Sequence, residues 1–373
     1  MSKKACFAVS AVFLVFIAFF FVLNLMTPDI EFSEQENRYL ETRPKFSFSA
    51  LFSGNYIKDY ESYATDQFPY RDTWTTLKAA LELAAGKAEN NGVILCENGT
   101  LIEPFQAPDT ATLEKNVTAV NALTKNAGVP VYFALIPGKS DIYAELLPAN
   151  TPNDSQLAFI ESAYAMADAQ TVDMYAALDA HHDSYVYYRT DHHWTTLGAY
   201  YGYAALCEAM GFEPAPLSDF SPETVSDAFY GTTYSSSGFS WVAPDSMALY
   251  VKDPGTLTIE NYTDGTAAEG VLYDYSYLDK KDKYATFFGG NTPLLQIKTD
   301  REDGERLLIL RDSYADSMAP FFLSDFSEIH MIDLRYYKAS ILDYIREQEI
   351  DRVVVMYSVS NFATDPNMFL MGR

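Results

Sequence analysis

The sequence predicts an α/β fold in which a parallel β-sheet carries helices on both faces. From residue 109 onward, helical and strand patterns alternate along the chain, which is typical of parallel sheets covered by helices. The strands are short continuous apolar runs such as "VYFALIP" and "RVVVMYS", as expected of strands buried on both faces. An uncharged apolar run near the N-terminus adds one membrane-spanning helix, since about 20 such residues cross a bilayer.

Residues 1–26 predict an uncleaved signal anchor. The uncharged run Ala5–Met26 follows Lys3 and Lys4, and it is longer than the apolar core of about 7–15 residues in a cleaved signal peptide. Lysines before such a run favour the cytoplasmic side. We therefore expect a single-pass protein of the cell membrane with the remaining chain outside the cytoplasm. Cleavage after the run is the alternative.

Charge and cysteine content narrow the partners and the redox chemistry. The formal net charge of −25 over 373 residues argues against nucleic acids and anionic membrane surfaces as partners. Outside the anchor only Cys96 and Cys207 remain, so the sequence is compatible with one disulfide or with two free thiols. Cys207 lies in a helical pattern, which favours a buried thiol.

Residues 27–108 form a lead-in segment and a hairpin that we expect to pack on the main domain. Asp72 is a plausible cap of a helix that ends before Gly86, with apolar side chains sharing one face. Two short apolar runs then flank Asn98-Gly99, a hairpin signal.

Residues 109–373 form the predicted α/β domain. Its first half predicts these elements: a helix over 109–128, a strand over 131–137, a helix over 155–169, a strand over 171–175 and a helix capped by Thr195 or Thr196 that ends at Gly211. Its second half predicts strands over 306–311, 328–334 and 352–358, with helices from about 315 and over 340–348.

The segment 212–300 interrupts this alternation. It is rich in Gly, Pro, Ser and Tyr, and two strand patterns flank Asp253-Pro254-Gly255. We expect a β-rich insertion that lies over the sheet.

Ser313 occupies a predicted strand-turn-helix junction in "LLILRDSYADSM". A hydroxyl there is held clear of the backbone beside the N–H groups of a helix start, where an oxyanion would be stabilised. The alternative is a helix cap, in which Asp312 or Ser313 accepts a backbone N–H.

The stretch "YYRTDHHWTT" supplies a base for such a serine. A histidine takes the serine proton, and a carboxylate on its other nitrogen orients the ring. Residues i and i+2 of an extended segment share a side, so we expect Asp191 and His193 to face the pocket while His192 points away. A structural network joining loop and helix is the alternative.

A metal site is a further alternative, because four histidines and two aspartates fall within "HHDSYVYYRTDHH" and such ligands suit zinc or iron. The chain would then be a metal-dependent hydrolase using His181, His182, His192 and His193. No i, i+4 histidine pair lies on a helix, so we expect neither a metal nor another cofactor.

The motif "TDHHWT" resembles the signature of the DHHW family of bacterial extracytoplasmic proteins. The likeness extends over "SEQENRYL", "YATDQFPYRD", "ALIPGKSDIYAELLP", "FFGGNTPLL", "LLILRDSYADSMAPFFL" and "IDLRYY". That family is similar in turn to the SGNH hydrolase-like proteins that O-acetylate alginate. The resemblance implies an SGNH-like, flavodoxin-like three-layer fold.

The resemblance also implies roles for individual residues. Asp191 would orient the imidazole ring of His193, His193 would act as the base, and Ser313 would act as the nucleophile. The usual hydrolase pattern is Gly-Asp-Ser, whereas Arg311 stands here in place of the glycine. The oxyanion-hole glycine and asparagine of those hydrolases have no clear match, so Asn291 and Asn361 are the candidates.

The function implied is an extracytoplasmic O-acetyltransferase or esterase that forms an acyl-serine and acts on a cell-surface or exported glycan. The resemblance suggests a membrane-bound O-acyltransferase as the partner that supplies acetyl groups. The alternative is a non-catalytic glycan-binding or assembly factor on the same fold.

Overall fold

The computed structural model describes residues 3–263 and 265–373 of the chain. Two compact units are present. The N-terminal unit comprises the residues up to Asn91 together with Ser235–Trp241, and the sheet unit comprises Gly92–Tyr234 and Val242–Arg373.

The described residues form thirteen α-helices besides short 3₁₀ turns. In chain order these are α1 Lys3–Met26, α2 Phe48–Phe52, α3 Asn55–Asp66, α4 Arg71–Ala84, α5 Thr110–Asn126, α6 Lys139–Ile142, α7 Gln156–Ala165, α8 Met174–Asp179, α9 Thr196–Met210, α10 Thr232–Ser237, α11 Tyr314–Met318, α12 Ile341–Glu347 and α13 Val359–Thr364.

The same residues form fifteen β-strands, many of them short. In chain order these are β1 Phe32–Ser33, β2 Arg38–Tyr39, β3 Glu89–Asn90, β4 Val93–Leu95, β5 Leu101–Ile102, β6 Val131–Ile136, β7 Gln170–Val172, β8 Ser221–Phe229, β9 Asp245–Val251, β10 Thr258–Thr263, β11 Thr266–Glu269, β12 Leu294–Lys298, β13 Arg306–Arg311, β14 Glu328–Ile332 and β15 Arg352–Ser358.

The N-terminal unit contains the long apolar helix α1. Its 24 residues have a mean hydropathy of 2.9 over an 18-residue window, and none of that window is buried, so α1 is long and apolar enough to cross a membrane. Phe20 of α1 contacts the rings of Phe68 and Trp74, with centroids 5.4 and 5.8 Å away. The end of α1 is also tied by a hydrogen bond from Asn24 Nδ2 to the Gln67 carbonyl at 2.9 Å.

The core of the sheet unit is an eight-stranded sheet with the order β11-β10-β12-β14-β13-β15-β6-β7. The five strands from β14 to β7 are parallel, as predicted. The three strands β12, β10 and β11 are antiparallel, so the sheet is mixed, whereas the sequence predicted a parallel sheet. These three strands come from the segment 212–300, which was expected to lie over the sheet and instead forms one edge of it. Of the strands in that segment, β8 and β9 form a separate two-stranded sheet. Pairing with β12 satisfies the backbone edge that β14 would otherwise expose.

Helices cover both faces of this sheet. Along β13, Leu307 and Ile309 belong to one buried apolar cluster, and Leu308 and Leu310 belong to the other, because successive side chains of a strand point to opposite faces. Residues of α9 fill the first cluster, and residues of α5 and α12 fill the second. The layered arrangement expected from the alternating pattern is thus confirmed.

Three of the predicted helix starts are confirmed, and each carries a capping residue. Asp109, Ser155 and Thr195 each accept a backbone N–H of the first helical turn. Gly211 ends α9 with a φ of 82°, a left-handed conformation that suits glycine. The Asn98-Gly99 hairpin is also present, since β4 and β5 pair antiparallel around it.

Two local predictions are wrong. The strand predicted over 171–175 ends at Val172, because Asp173 caps the helix α8 that follows. Asp72 is not the cap of α4, because Tyr70 occupies the N-cap position and Asp72 lies within the first helical turn. Two strands do flank Asp253-Pro254-Gly255, as predicted, and they belong to different sheets, since β9 pairs with β8 whereas β10 pairs with β12. Cys96 and Cys207 are both free thiols, and Cys207 is buried as expected.

Candidate active site

Ser313 lies between the end of β13 and the start of α11, with its hydroxyl directed at a histidine. Its Oγ lies 2.7 Å from Nε2 of His193 and forms no capping hydrogen bond. The cap is supplied instead by Asp312, whose Oδ1 accepts the N–H of Tyr314 at 3.0 Å. The sequence left open which of the two residues caps the helix, and the structure gives that task to Asp312.

Asp191 and His193 are brought together by a local turn. Oδ1 of Asp191 lies 2.5 Å from Nδ1 of His193 and also accepts the His193 backbone N–H at 2.9 Å. An aspartate that accepts the N–H two residues ahead stabilises a turn. The segment is bent rather than extended and is not a strand of the main sheet. The two side chains therefore meet as expected, but the reasoning from an extended chain is wrong.

His192 does not point away from the site. Its ring lies against that of His193 with centroids 3.8 Å apart, and its Nδ1 lies 2.6 Å from Oγ1 of Thr232. The bend at Asp191 removes the alternation of sides on which the expectation depended. His192 therefore lies beside the Asp191–His193–Ser313 triad and forms a hydrogen bond with the Thr232 hydroxyl.

The second carboxylate oxygen of Asp191 is held by Thr232. Oδ2 accepts the Thr232 backbone N–H at 2.7 Å and its hydroxyl at 3.1 Å. Burial opposes ionisation, but the charges of His192 and His193 and the hydrogen bonds from His193 hold the pKa of Asp191 well below its ordinary value. Asp191 is therefore a carboxylate at neutral pH, which suits the orientation of an imidazole and the stabilisation of its protonated form.

Gly231 allows this approach of the chain to Asp191. A Cβ atom at residue 231 would lie 2.1 Å from the Asp191 Cβ and 2.2 Å from Oδ2. No side chain fits at that distance, so glycine is required here for close packing.

Tyr284 stacks on the candidate base. Its buried phenol ring lies parallel to the imidazole of His193, with centroids 3.8 Å apart and an interplanar angle of 8°. Its hydroxyl donates to the Ser313 carbonyl at 3.2 Å and lies 3.0 Å from Oγ of Ser317. One aromatic residue therefore contacts the base and the turn that carries the nucleophile.

Trp194 joins the histidine motif to α11. Its buried Nε1–H donates to the Tyr314 carbonyl at 3.1 Å and to Oγ of Ser317 at 2.9 Å. Gly202 of α9 makes room for the indole, because a Cβ there would lie 2.8 Å from Cζ3 of Trp194. The tryptophan of the motif thus sets the distance between the histidine and the serine.

Arg311, which replaces the expected glycine, is buried beneath the site. Its Nη1 donates to Oδ1 of Asn291 at 2.7 Å and lies 3.0 Å from Oδ1 of Asp316. Burial raises the pKa of Asp316 to about 7, although Arg311 favours its ionised form. Among the described residues, nothing accepts a hydrogen bond from Nε or Nη2 of Arg311. The arginine anchors Asn291 through the amide oxygen.

The two asparagine candidates for an oxyanion hole differ in placement. Asn361 follows β15 and donates from Nδ2 to Oδ2 of Asp312 at 2.7 Å, so it stands beside the turn of the nucleophile. Asn291 is held elsewhere, because its side-chain Oδ1 accepts a hydrogen bond from Arg311 Nη1. Within the described chain, no group accepts the backbone N–H of Ser313. Because this N–H belongs to the same residue as the candidate nucleophile, it is a third candidate donor to an oxyanion.

The four histidines of the possible metal cluster do not converge. Asp191, His192 and His193 have potential ligand atoms within 4.8 Å of one another, whereas His181 stacks on Tyr201 and His182 bonds to the Asp179 carbonyl. Both ring nitrogens of His193 are engaged within the triad. A metal there would have to displace a hydrogen bond of the triad.

Sequence reasoning missed the supporting residues Gly231, Thr232 and Tyr284. All three lie within the predicted insertion, and no motif marks them. The weak signal available was the insertion itself, since a segment placed between a base and a nucleophile in sequence often contributes to the site between them.

The matched relatives agree with the resemblance seen in the sequence. The protein named probable alginate O-acetylase AlgJ of Pseudomonas aeruginosa is 30% identical over 173 residues, 43% of this chain and 44% of that protein. The protein of the same name from Pseudomonas syringae pv. tomato is 26% identical over 209 residues, 52% of this chain and 53% of that protein. The chain thus spans about half the length of these curated relatives.

Two solved structures share the fold. A DHHW family protein from Eubacterium siraeum is 28% identical with a TM-score of 0.66, covering 76% of this chain and 95% of that one. PatB1 of Bacillus cereus is 20% identical with a TM-score of 0.63, covering 75% and 98%. The DHHW protein family itself matches residues 109–332, more than half of the sequence. The chain belongs to the DHHW protein family.

Proposed function

We propose that this protein is a membrane-anchored, extracytoplasmic O-acetyltransferase that acts on a glycan through an acetyl-serine at Ser313. The observation that carries the proposal is a continuous hydrogen-bonded chain from Asp191 through His193 to Ser313, with distances of 2.5 and 2.7 Å. Three side chains in this order form the arrangement that activates a serine hydroxyl.

The first half-reaction follows from this geometry. Oγ of Ser313 attacks the acetyl carbonyl carbon while its proton passes to Nε2 of His193, and Asp191 stabilises the imidazolium. The Ser313 N–H, with Asn361 nearby, donates to the developing oxyanion. The bond to the leaving group then breaks, and the leaving oxygen takes the proton from His193, so that an acetyl-serine remains.

The second half-reaction reverses these steps with a new nucleophile. A sugar hydroxyl loses its proton to His193 and attacks the acetyl-serine, and the proton returns to Ser313 as the ester bond breaks. Water in place of the sugar gives hydrolysis, so acceptor binding and water exclusion decide between transferase and esterase.

The likeness to proteins named alginate O-acetylase supports acetyl transfer to a polysaccharide of the cell envelope. A membrane-bound O-acyltransferase that delivers acetyl groups is the proposed partner. The apolar helix α1 preceded by Lys3 and Lys4 supports an anchor with the sheet unit outside the cytoplasm. N-terminal sequencing of the membrane-extracted protein should find residues before Met26, and a mature chain starting between residues 27 and 35 would contradict the anchor.

The central experiment is labelling of the full chain with a fluorophosphonate, together with turnover of an acetyl ester. Ser313→Ala should abolish both, since it removes one oxygen and leaves the turn intact. His193→Ala should be about as damaging, and Asp191→Asn should cost less although still orders of magnitude. The matched control is Ser162→Ala on α7, whose exposed hydroxyl bonds only to its own helix.

Two results would contradict the proposed acetyl-serine mechanism. If Ser313 resists the label and no ester turns over while the chain still binds glycans, the protein is a binding or assembly factor on this fold. Labelling that persists in Ser313→Ala would place the nucleophile at another residue.

A further inference from the structure

The helix α4 of the N-terminal unit exposes an apolar surface. Trp74, Leu77 and Leu81 are 40%, 44% and 61% exposed, and they lie along one side of the helix because residues three and four apart share a face. Ala80 and Ala84 are exposed on the same side, and the stripe from Ala80 round to Trp74 contains no charged residue. A contiguous apolar surface of this kind marks an interaction site. The surface of Trp74, Leu77 and Leu81 is termed the α4 face.

The opposite side of α4 holds the helix in its own unit. Ala79 is buried there, and Oγ1 of Thr76 lies 2.9 Å from Oγ of Ser240. A Cβ at Gly238 would lie 3.8 Å from that of Ala79, so the segment Ser235–Trp241 packs on this side of the helix. The α4 face is therefore directed away from the segment that holds the helix.

The apolar helix α1 indicates what covers the α4 face. Phe20 of α1 contacts the rings of Trp74 and Phe68, and it lies six residues before Met26, about 9 Å along the helix axis. With α1 across the membrane, as proposed above, the start of α4 lies at the level of Phe20. That level matches the depth of roughly 5–10 Å to which interfacial helices bury their apolar side. The α4 face is thus continuous with a helix that lipid surrounds.

The groups around the α4 face suit the boundary between water and lipid. Nε1–H of Trp74 donates to the Pro69 carbonyl at 3.2 Å, so the indole leaves water without losing a hydrogen bond. Tyr70, in the turn before the helix, is exposed, and tryptophan and tyrosine are enriched at membrane–water interfaces. Lys78 lies at the rim, where its Nζ donates to Oδ1 of Asn90 at 3.1 Å. A long lysine side chain at such a rim keeps its charge in water.

The acidic charge of the chain belongs almost wholly to the other unit. After α1, the N-terminal unit contains seven basic and eleven acidic residues, a net charge of −4. The sheet unit contains 17 basic and 40 acidic residues, a net charge of −23, and Lys3 and Lys4 bring the total to −25. Net charge therefore disfavours membrane surfaces as partners of the sheet unit, whereas it opposes contact of the N-terminal unit with lipid only weakly.

We propose that the α4 face, together with Phe68 and Tyr70 of the preceding turn, lies in the extracytoplasmic interface of the lipid bilayer. The N-terminal unit then contacts the membrane at two places, through α1 and through α4. The second contact fixes the tilt of this unit against the bilayer, which a single spanning helix leaves open. The inference shares with the proposed function only the placement of α1, and it does not depend on the chemistry at Ser313.

The test uses the full chain in phosphatidylcholine vesicles whose acyl chains carry bromine at a shallow or at a deep position, since bromine quenches tryptophan fluorescence on contact. The chain has three tryptophans, so wild type is compared with Trp74→Phe and with Trp241→Phe. Trp241 is the matched control, because it is 47% exposed and belongs to the same unit. Trp74→Phe should remove most of the quenching, and Trp241→Phe should leave it unchanged. Shallow bromine should quench more than deep bromine.

A second pair of variants tests the rest of the α4 face. Leu77→Asp combined with Leu81→Asp should remove most of the quenching at Trp74, because carboxylates do not enter the apolar layer. Both leucines are exposed, so circular dichroism and fluorophosphonate labelling should stay at the wild-type level. Val271→Asp is the matched control, since Val271 is similarly exposed in the sheet unit, and it should leave the quenching unchanged.

Three results would overturn the inference. These are an absence of quenching at Trp74 with either lipid, an equal loss in Trp241→Phe, and unchanged quenching in the double leucine variant. An unquenched Trp74 whose emission changes with the protein-to-lipid ratio would assign the α4 face to contact between two copies of the chain instead.

Failure of the proposed function gives different results. Quenching at Trp74 without labelling of Ser313 would end the proposed acetyl transfer and keep the membrane contact of α4. A mature chain that starts between residues 27 and 35 would end the anchor, and quenching at Trp74 in that chain would show that α4 reaches the bilayer without α1. Labelling of Ser313 without quenching at Trp74 would keep the enzyme and end the inference about α4.

Discussion

The imidazole of His193 lies face to face with the phenol ring of Tyr284, with centroids 3.8 Å apart and planes inclined by 8°. In the proposed reaction this ring gains and loses a proton, and the aromatic surface of Tyr284 covers one of its faces. The negative face of an aromatic ring also attracts the imidazolium form. Tyr284 is a positioning residue in this arrangement, because it acts through His193 and the Ser313 turn.

The first prediction separates the ring of Tyr284 from its hydroxyl. Tyr284→Phe keeps the stacking and should lower kcat/KM by about tenfold or less, since it removes a hydrogen bond of roughly 1.4 kcal/mol or less. Tyr284→Leu should cost about 100-fold, because a misplaced catalytic group loses that order of rate. The loss should fall on kcat rather than KM. Equal losses in both variants would contradict a role for stacking.

The second prediction concerns Thr232, whose hydroxyl bonds to both Asp191 and His192. Thr232→Val keeps the shape and the backbone N–H but removes that hydroxyl, and it should lower kcat/KM by about tenfold. Thr232→Ser is the matched control and should retain most activity. His192→Ala should be mild, since its effect passes through Thr232, and the double variant should then be less than additive.

The third prediction uses the close approach of Gly231 to Asp191. Gly231→Ala introduces a methyl group at 2.1 Å from the Asp191 Cβ, so the aspartate must move. Activity should fall by about 100-fold, with a loss of about 1–3 kcal/mol in the free energy of unfolding. In an Asp191→Ala background the same change should add little further loss of activity. Full activity in Gly231→Ala would show that the loop yields without moving the triad.

The fourth prediction is a pH dependence of stability. The pKa of Asp191 is well below its ordinary 3.8 in the folded chain, so the folded state binds the proton less readily than the unfolded state. The resulting stabilisation is present above about pH 4 and is lost as the pH falls through the folded value. Urea unfolding between pH 3 and pH 6 should show a steeper loss in wild type than in Asp191→Asn. Parallel curves would show that Asp191 is not stabilised as described.

The fifth prediction concerns metal. Because both nitrogens of His193 are used within the triad, chelators should leave fluorophosphonate labelling unchanged. Elemental analysis should find no stoichiometric zinc or iron. Metal bound at about one ion per chain and lost in His193→Ala would favour a metal-dependent hydrolase.

The sequence predicted those features of the site that belong to short motifs. A short run with Asp191 and His193, and a serine between an apolar strand and a helix start, indicated which groups to bring together. The residues that support those groups belong to no such motif, since Thr232 lies 41 residues from Asp191 and Tyr284 lies 29 residues from Ser313. Ordinary threonines and tyrosines acquire such tasks only through tertiary packing.

The direction of the added strands was also beyond the sequence. A short apolar run such as "LLQIK" is compatible with either direction in a sheet, and its antiparallel pairing with β14 depends on the path of the preceding loops. The bend at Asp191 was missed for a related reason, because an aspartate can turn the chain through its own side chain even where the neighbouring pattern is extended.

The position of β15 in the sheet has a consequence for how the protein acquires its site during biosynthesis. β15 comes after every other described strand in sequence and lies between β13, which leads to Ser313, and β6. β6 and β13 therefore join into one sheet only through a strand that is synthesised after both of them. The junction that carries Ser313 is thus completed after β15 has been made, and not when Ser313 itself leaves the ribosome.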